Sequence, residues 1–181
     1  MRKMKSLLLV TGFLASSNVS AALEQIVSLS PSMLVDSALT DSAGSGLVSL
    51  TGTYASSDGA KTTGVGVSIY FDSAKLVFDS LNPPKSSALA EYLLASTETP
   101  DLIQDDMDDE DGDANTDKKA IIAFASFNGG LPPSGDAFTI SFGAAGSDPA
   151  GRTQVNVVVM PAAGYRGSAE PVVINFDEWS Q

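Results

Sequence analysis

The residues with the clearest chemical potential lie in an acidic stretch from Asp105 to Asp117. Eight of its thirteen residues carry a carboxylate and none is basic. So many like charges repel one another unless water and salt screen them or a cation binds between them. Oxygen-bearing side chains recur at every second position in its latter part, at Asp109, Asp111, Asp113, Asn115 and Asp117.

These five side chains could bind one ion only if the stretch curls. Alternate residues of an extended strand lie about 6.5–7 Å apart, whereas Ca²⁺ binds oxygens at about 2.3–2.6 Å. Gly112 permits a curl, and carboxylate and amide oxygens suit Ca²⁺. The spacing differs from the helix–loop–helix calcium pattern, which has glycine at loop position six and glutamate at twelve.

We therefore predict a calcium site, and the alternative is a loop that is solvated without an ion. The predicted ligands are Asp109, Asp111, Asp113, Asn115 and Asp117. The remaining aspartates, Asp105, Asp106 and Asp108, are interpreted as solvated surroundings that add to the negative field.

The composition excludes several kinds of site. The chain has no cysteine and no histidine, which removes cysteine-based zinc and iron–sulfur centres and the usual general base. A glycosidase needs two carboxylates placed across a cleft. The adjacent pairs Asp105–Asp106 and Asp177–Glu178 do not predict that arrangement. We expect a protein that is not an enzyme.

The first 22 residues resemble a bacterial secretory signal. Three basic residues precede the apolar run Ser6–Ala15, and small residues lead to cleavage after Ala21 or Ala22. The alternative, a membrane anchor, needs a longer apolar run to cross about 30 Å of hydrocarbon. We predict a signal peptide at 1–22, a single domain at 23–181, and a secreted or periplasmic protein.

The net charge of −12 constrains the partners. A strongly acidic surface repels nucleic acid and anionic lipid and attracts divalent cations. We expect neither nucleic-acid binding nor membrane insertion.

Strand patterns dominate the rest of the chain. Apolar residues alternate in segments such as Leu47–Tyr54, Thr63–Phe71, Ala137–Gly143 and Thr153–Met160, which is typical of half-buried strands. A first strand is predicted at Glu24–Ser30, with Pro31 ending it, and helical spacing is confined to Lys85–Ala95. Parallel α/β folds need crossover helices that this pattern lacks. The predicted fold is an all-β antiparallel jelly-roll or Ig-like sandwich of about nine strands with one short helix.

Three segments carry a resemblance to a known family. The run Thr63–Phe78, in which an apolar strand ends in Tyr-Phe-Asp before a short turn and a second strand, resembles the early hairpin of cohesin modules. Ala137–Gly143 is similar to a later cohesin strand, and Asp111–Lys118 is similar to the loop before a strand in cohesin-like modules of bacterial surface proteins. The resemblance covers about Glu24–Met160. It implies a nine-stranded jelly roll related in shape to carbohydrate-binding modules.

The expected function is non-catalytic recognition of a protein partner in the envelope or extracellular space, stabilised by calcium. The alternatives are a carbohydrate-binding module and a structural matrix component. Tyr165 and Arg166, in a predicted loop, are the ligand-binding candidates. An exposed aromatic platform on one sheet face would favour sugar, whereas a flat aliphatic and polar face would favour protein.

Overall fold

A computed structural model describes residues 21–34, 47–79, 85–86, 93–94, 103–126, 129–146 and 150–178. Within these ranges the chain is almost entirely β-structure. The strands are β1 (Glu24–Leu34), β2 (Leu47–Ser56), β3 (Gly64–Phe71), β4 (Leu76–Phe78), β5 (Lys85–Ser86), β6 (Leu93–Leu94), β7 (Ile103–Asp105), β8 (Lys118–Ala125), β9 (Ser134–Ala144), β10 (Arg152–Met160), β11 (Arg166–Ala169) and β12 (Val172–Asn175), and a 3-10 helix follows at Phe176–Glu178.

The strands form two sheets that enclose one apolar core. The first sheet has the order β11-β1-β2-β9-β4, with β5 also beside β9, and the second has the order β12-β10-β3-β8-β6, with β7 also beside β8. Neighbouring strands are antiparallel, except that β1 and β11 are parallel. The predicted antiparallel β-sandwich is confirmed.

The core forms because the alternating apolar residues of both sheets point inward. Strand β3 buries every second residue from Val65 to Phe71, and β9 buries Phe138, Ile140 and Phe142. The rings of Phe71 and Phe142 meet edge to face at 5.0 Å, which joins the two sheets. These inward faces are the ones that the alternation predicts.

Pro31 does not end the first strand as predicted. Strand β1 continues through it to Leu34, and Pro31 pairs with Leu50 of β2. Strand β11 pairs with β1 only at Glu24–Val27. Pro31 therefore lies where the described structure gives β1 a neighbour on one side, and such an edge position tolerates the missing N–H.

The helix predicted at 85–95 is wrong where the structure describes that segment. Residues 85–86 pair with β9 and residues 93–94 pair with β8, so both ends of the segment are strands. The pairing of a short segment with a sheet edge overrides a weak helical pattern. Residues 87–92 lie outside the described residues, and the described helical turn is instead at Phe176–Glu178.

The segment 161–168, predicted as a loop, contains a strand that was missed. Strand β11 begins at Arg166 and pairs with Glu24–Val27 of β1. An ideal Cβ on Gly167 would lie 2.4 Å from the carbonyl oxygen of Val159, so glycine is needed where β11 approaches β10. The pairing is decided by this tertiary contact, which the local sequence does not display.

Most of the predicted signal peptide lies outside the described residues, as does Trp179. Strand β1 begins at Glu24, immediately after the predicted cleavage position. Among the described residues, no helix has the length and apolar character needed to span a membrane.

Gly52 provides the space that Phe138 occupies between the sheets. An ideal Cβ at Gly52 would lie 2.2 Å from Cε1 of the Phe138 ring. We expect Gly52→Ala to lower the free energy of unfolding by about 1–3 kcal/mol, because the buried ring must leave its rotamer. Urea denaturation measures this change.

The control is Gly143→Ala on β9, where an ideal Cβ would meet only ordinary contacts at 3.9 Å or more. This variant should keep nearly the stability of the natural chain. Equal stability of the two variants would contradict the assigned packing of Phe138.

Candidate functional site

The acidic stretch closes a β-hairpin within the second sheet. Asp105 at the end of β7 pairs with Lys118 at the start of β8, and the amide of Asp106 donates to the carbonyl of Asp117 at 3.0 Å. Residues 106–117, here called the acidic loop, therefore connect neighbouring strands.

The acidic loop is curled, as a shared ion would require. Gly112 has φ 74° and Asp109 has φ 49°, a left-handed conformation that aspartate tolerates better than most residues. The amide of Gly112 donates to the carbonyl of Asp109 at 3.1 Å, and the amide of Thr116 donates to the carbonyl of Asp113 at 3.0 Å. Two consecutive turns thus fold the loop back on itself.

Three outward-facing residues of the second sheet hold the acidic loop. Tyr70 of β3 lies between Asn156 of β10 and Lys119 of β8 in the strand register, and we call these three residues the anchor row. Glu110 Oε2 accepts a hydrogen bond from the Tyr70 hydroxyl at 2.6 Å and one from Lys119 Nζ at 2.9 Å. Tyr70 is only 1% exposed.

The third member of the anchor row binds two aspartates of the loop. Asn156 Nδ2 donates to Asp111 Oδ2 at 2.8 Å and lies 3.3 Å from Asp113 Oδ2. The hydroxyl of Thr116 lies 2.9 Å from Asp111 Oδ2. Because Asn156 and Thr116 are buried, these bonds fix Asp111 at the base of the loop.

These contacts shift the ionisation of the anchoring groups. The hydrogen bond from Tyr70, and then the one from Lys119, lowers the pKa of Glu110. Burial, reinforced by the hydrogen bond to Glu110, raises the pKa of Tyr70. Hydrogen bonds from the backbone and side-chain amides of Asn115 lower the pKa of Asp113. These hydrogen bonds favour the charged forms of Glu110 and Asp113.

The curl brings together a set of aspartates that differs from the predicted one. Asp106, Asp109 and Asp111 each offer an oxygen, and these oxygens lie within 4.8 Å of one another. Two oxygens bound to one Ca²⁺ at about 2.4 Å can be no more than about 4.8 Å apart, and the three aspartates meet this requirement for sharing an ion. Asp106 Oδ2 is buried and has no hydrogen-bond partner, so it is free to bind a cation.

The other predicted ligands have different partners. Asp113 Oδ1 accepts hydrogen bonds from the Asn115 backbone at 3.1 Å and from its side chain at 2.7 Å. Asp117 binds the amide and the hydroxyl of Ser73 at 2.7 and 2.6 Å, and so fastens the loop to the β3–β4 turn. Burial alone would raise the pKa of Asp117, but the Ser73 hydrogen bonds lower it on balance.

The predicted set is therefore only partly assembled. Asp109 and Asp111 are brought together, whereas Asp113, Asn115 and Asp117 lie in separate hydrogen-bonded positions. Asp106, interpreted from sequence as a solvated neighbour, joins the cluster because its backbone closes the loop opposite Asp117. Alternating spacing could not reveal this, since the loop does not keep an extended period of two. The metal site stays a prediction.

The basic residues beside the loop are already paired. Lys118 forms an ion pair with Asp105, and Lys119 pairs with Glu110. Among the described residues, no basic side chain forms an ion pair with Asp106, Asp109 or Asp111. Their mutual repulsion is uncompensated, which favours a bound cation.

Tyr165 and Arg166, the predicted ligand-binding residues, belong to the first sheet and the turn before it, whereas the acidic loop belongs to the second sheet. The Tyr165 hydroxyl donates to Asp58 Oδ2 at 2.9 Å, and this hydrogen bond raises the pKa of Tyr165. Arg166 begins β11, with its amide bonded to the carbonyl of Leu23 at 2.8 Å and its side chain exposed. The tyrosine ties two turns together, and its role in ligand binding stays a prediction.

Next to the anchor row, the outer face of the second sheet is flat and aliphatic. Its next row consists of Val158, Ser68 and Ile121, and the row beyond it contains Met160, Gly66 and Ala123. We call these six residues the aliphatic face. Met160 is 45% exposed, and an ideal Cβ on Gly66 would approach its Cε at 3.0 Å, so small residues keep the face flat.

The anchoring carboxylates make stability depend on pH. Glu110 has a lowered pKa in the fold, so its stabilising effect is complete above its unfolded pKa of about 4 and is lost as pH falls through the folded value. We expect Glu110→Gln to melt at a lower temperature than the natural chain at pH 7, with the difference vanishing near pH 3. Thermal melts between pH 3 and 7 measure this.

The control is Asp108→Asn, since Asp108 is exposed and has no hydrogen-bond partner among the described residues. It should follow the natural chain at every pH. A melting difference for Glu110→Gln that persists unchanged at pH 3 would contradict the anchoring role of the charged carboxylate.

Comparisons with known proteins give no match to a protein-family model and none to a curated protein. Solved structures do match. The seventh ScaB type I cohesin from Pseudobacteroides cellulosolvens covers 84% of this chain and 91% of its own, with TM-score 0.53 and 10% identity. A type I cohesin–dockerin complex of OlpA from Clostridium thermocellum also matches. The match covers 85% of this chain and 98% of the other, with TM-score 0.51 and 9% identity.

A third structure agrees with these two. The third ScaC cohesin from Acetivibrio cellulolyticus, in complex with the ScaB dockerin, covers 84% of this chain and 97% of its own, with TM-score 0.50 and 14% identity. These matches extend over most of both chains, and they confirm the resemblance that the sequence segments indicated. The chain has the β-sandwich fold of these cohesins.

Proposed function

We propose that this chain is an exported, non-catalytic module that recognises a protein partner through the aliphatic face, and that its acidic loop holds a calcium ion. The observation that carries the proposal is the aliphatic face itself. A flat apolar surface with polar groups at its border is the usual centre of a protein–protein interface.

The shape of the face suits a protein better than a sugar. Ser68, Gly66 and Ala123 leave no protruding group between the half-buried Val158 and Ile121. The only described aromatic side chain in the three rows, Tyr70, is covered by the acidic loop. A partner surface can therefore lie across these three neighbouring strands.

Two of the similar structures support a protein partner. The OlpA cohesin and the ScaC cohesin are each in complex with a dockerin. We extend from them only the class of partner, a protein.

The carbohydrate alternative lacks an exposed ring for stacking among the described residues. Tyr54 and Tyr70 are buried, and the hydroxyl of Tyr165 is bonded to Asp58. Tyr92 and Trp179 lie outside the described residues. No observation on the described residues favours a matrix component.

Catalysis is not supported by the carboxylate pairs that the sequence offers. Asp105 is paired with Lys118, and Asp177 accepts a hydrogen bond from the amide of Gly151 at 3.0 Å. Because the chain has no histidine, a nucleophilic serine would lack its usual base. Recognition without chemistry is the function that this surface supports.

Export is compatible with the fold. The predicted cleavage after Ala21 or Ala22 precedes Glu24, where β1 begins, so every described strand would be retained in the mature protein.

The calcium proposal rests on Asp106, Asp109 and Asp111. Their oxygens lie within the span of one coordination sphere, and Asp106 Oδ2 is buried without a hydrogen bond. A buried carboxylate oxygen without a partner is costly unless a cation or water meets it. Three protein ligands leave room for backbone carbonyls and water in a sphere of six to eight oxygens.

The docking proposal predicts the effect of one bulky charge on the face. Ala123→Arg, on the outer side of β8, should abolish capture of the protein partner from an extract of the source organism, because the long cation disrupts the flat contact. The measurement is a pull-down with the natural chain and the variant in parallel, identified by mass spectrometry.

The matched control is Thr51→Arg, which places the same side chain on the outer side of a central strand in the opposite sheet. It should retain capture. Loss of capture by both variants, or by neither, would argue against the aliphatic face. Strong binding to a glycan array by the natural chain would favour the carbohydrate alternative.

The calcium proposal predicts stabilisation by mass action. At a calcium concentration 100 times the dissociation constant, the melting temperature should rise by about 5–10 °C, and chelator should reverse the rise. Asp106→Asn should weaken the calcium effect, whereas Asp117→Asn should lower stability equally with and without calcium, since Asp117 binds Ser73. An unchanged midpoint at millimolar calcium would refute the site.

A further inference from the structure

We infer that the acidic loop is a fixed wall across one end of the aliphatic face, and that the partner has an apolar patch bordered by lysine or arginine side chains that meet this wall. The inference rests on the proposed function and adds the chemistry of the partner. It is carried by the position of the loop, by its unpaired charges, and by a cleft between the loop and the sheet.

The wall is held in place by side chains of the sheet face itself. Glu110 is bonded to Tyr70 and Lys119, and Asp111 is bonded to Asn156, so the loop is attached to three adjacent strands. Asp117 adds a fourth attachment through Ser73. A partner lying on the aliphatic face must therefore end at the anchor row or contact the loop.

The acidic loop, which forms this wall, stays negatively charged after the ion pairs with Lys118 and Lys119 are formed. Lys118 and Lys119 neutralise Asp105 and Glu110. The other carboxylates of the wall, apart from the Ser73-bound Asp117, form no ion pair with a described residue, and they are Asp106, Asp108, Asp109, Asp111 and Asp113. One calcium ion would leave this end of the face negative.

A cleft connects the wall to the aliphatic face. It has a volume of about 410 Å³, and its lining includes Asp111, Asp113, Gln154, Asn156, Val158 and Pro171. Val158 belongs to the aliphatic face and Asp113 belongs to the wall, so the cleft is continuous with both. Because acidic, amide and apolar groups all line it, the cleft suits a lysine or arginine side chain, which has an apolar stem and a cationic head.

Asp113 is the carboxylate best placed to bind the cationic group of that lysine or arginine side chain. It lies outside the proposed calcium cluster, and its Oδ2 has only the long contact to Asn156 at 3.3 Å. Charge complementarity at an interface border chiefly sets specificity and association rate.

Two synthetic amphipathic peptides test the inference. They share a leucine face and differ only in carrying lysine or glutamate on the polar face. Amide chemical-shift titrations of the calcium-loaded natural chain should show the lysine peptide perturbing Ser68, Ile121, Val158 and Asp113, with affinity falling as salt is added. The glutamate peptide should bind at least about tenfold more weakly, because repulsion replaces attraction.

Asp113→Asn isolates the role of the cleft. It should weaken the lysine peptide by about two- to fivefold, as expected for one partly screened charge pair. The control Asp136→Asn removes an exposed carboxylate from β9 in the opposite sheet and should leave affinity unchanged. The amide spectrum of each variant reports whether it is folded.

The outcomes separate the two proposals. Equal affinity for both peptides on the aliphatic face would overturn the charge inference and leave the docking face standing. Perturbation of loop amides alone would overturn both the continuous surface and the docking face. Absence of any perturbation at millimolar peptide would overturn the inference, while the Ala123→Arg comparison would still decide the proposed function.

Discussion

The hydrogen bond between Tyr70 and Glu110 is the constraint on which the candidate site depends. A tyrosine on the outer side of a sheet would ordinarily be exposed, and this one is covered because an acidic loop folds over it. Lys119 and Asn156 add parallel attachments on the neighbouring strands. Together they convert a segment that charge repulsion would otherwise extend into one defined conformation.

The same attachments give the sheet face two different ends. Beyond the anchor row, Val158 and Ile121 begin a surface of small and aliphatic groups. The acidic loop covers the anchor row itself. The loop also carries Met107, which lies among aspartates and is 87% exposed. Small aliphatic groups at one end and carboxylates at the other would let the proposed docking face discriminate among partners.

The long strands could be predicted from the sequence because each has one buried face. Val65, Val67 and Ile69 alternate with small residues, and that period of two survives in any sandwich. The errors concern segments whose structure depends on a distant neighbour. Pro31 is accommodated by an open edge, residues 85–86 and 93–94 by pairing with β9 and β8, and β11 by its approach to β1.

In the candidate site, too, some features follow from the local sequence and others depend on contacts that form only on folding. Composition placed the unusual chemistry in the acidic loop, and Asp109 and Asp111 are indeed brought together. The position of Asp106 depends on how the loop closes against Asp117, and Asp113 and Asp117 are hydrogen-bonded to Asn115 and Ser73. Side-chain partners within a curled loop follow no period that a sequence displays.

The parallel pairing of β1 with β11 has a consequence for how the molecule is made. Glu24 is paired with Arg166, so the first described strand obtains this neighbour only from Arg166–Ala169, which comes after all the other strands of that sheet. Gln25 reinforces this, since its side-chain oxygen accepts the amide of Ala162 at 2.6 Å. Closing so long a loop carries an entropic cost that precedes any gain, which slows folding. The first sheet therefore cannot be completed during synthesis until the segment Arg166–Ala169 has emerged.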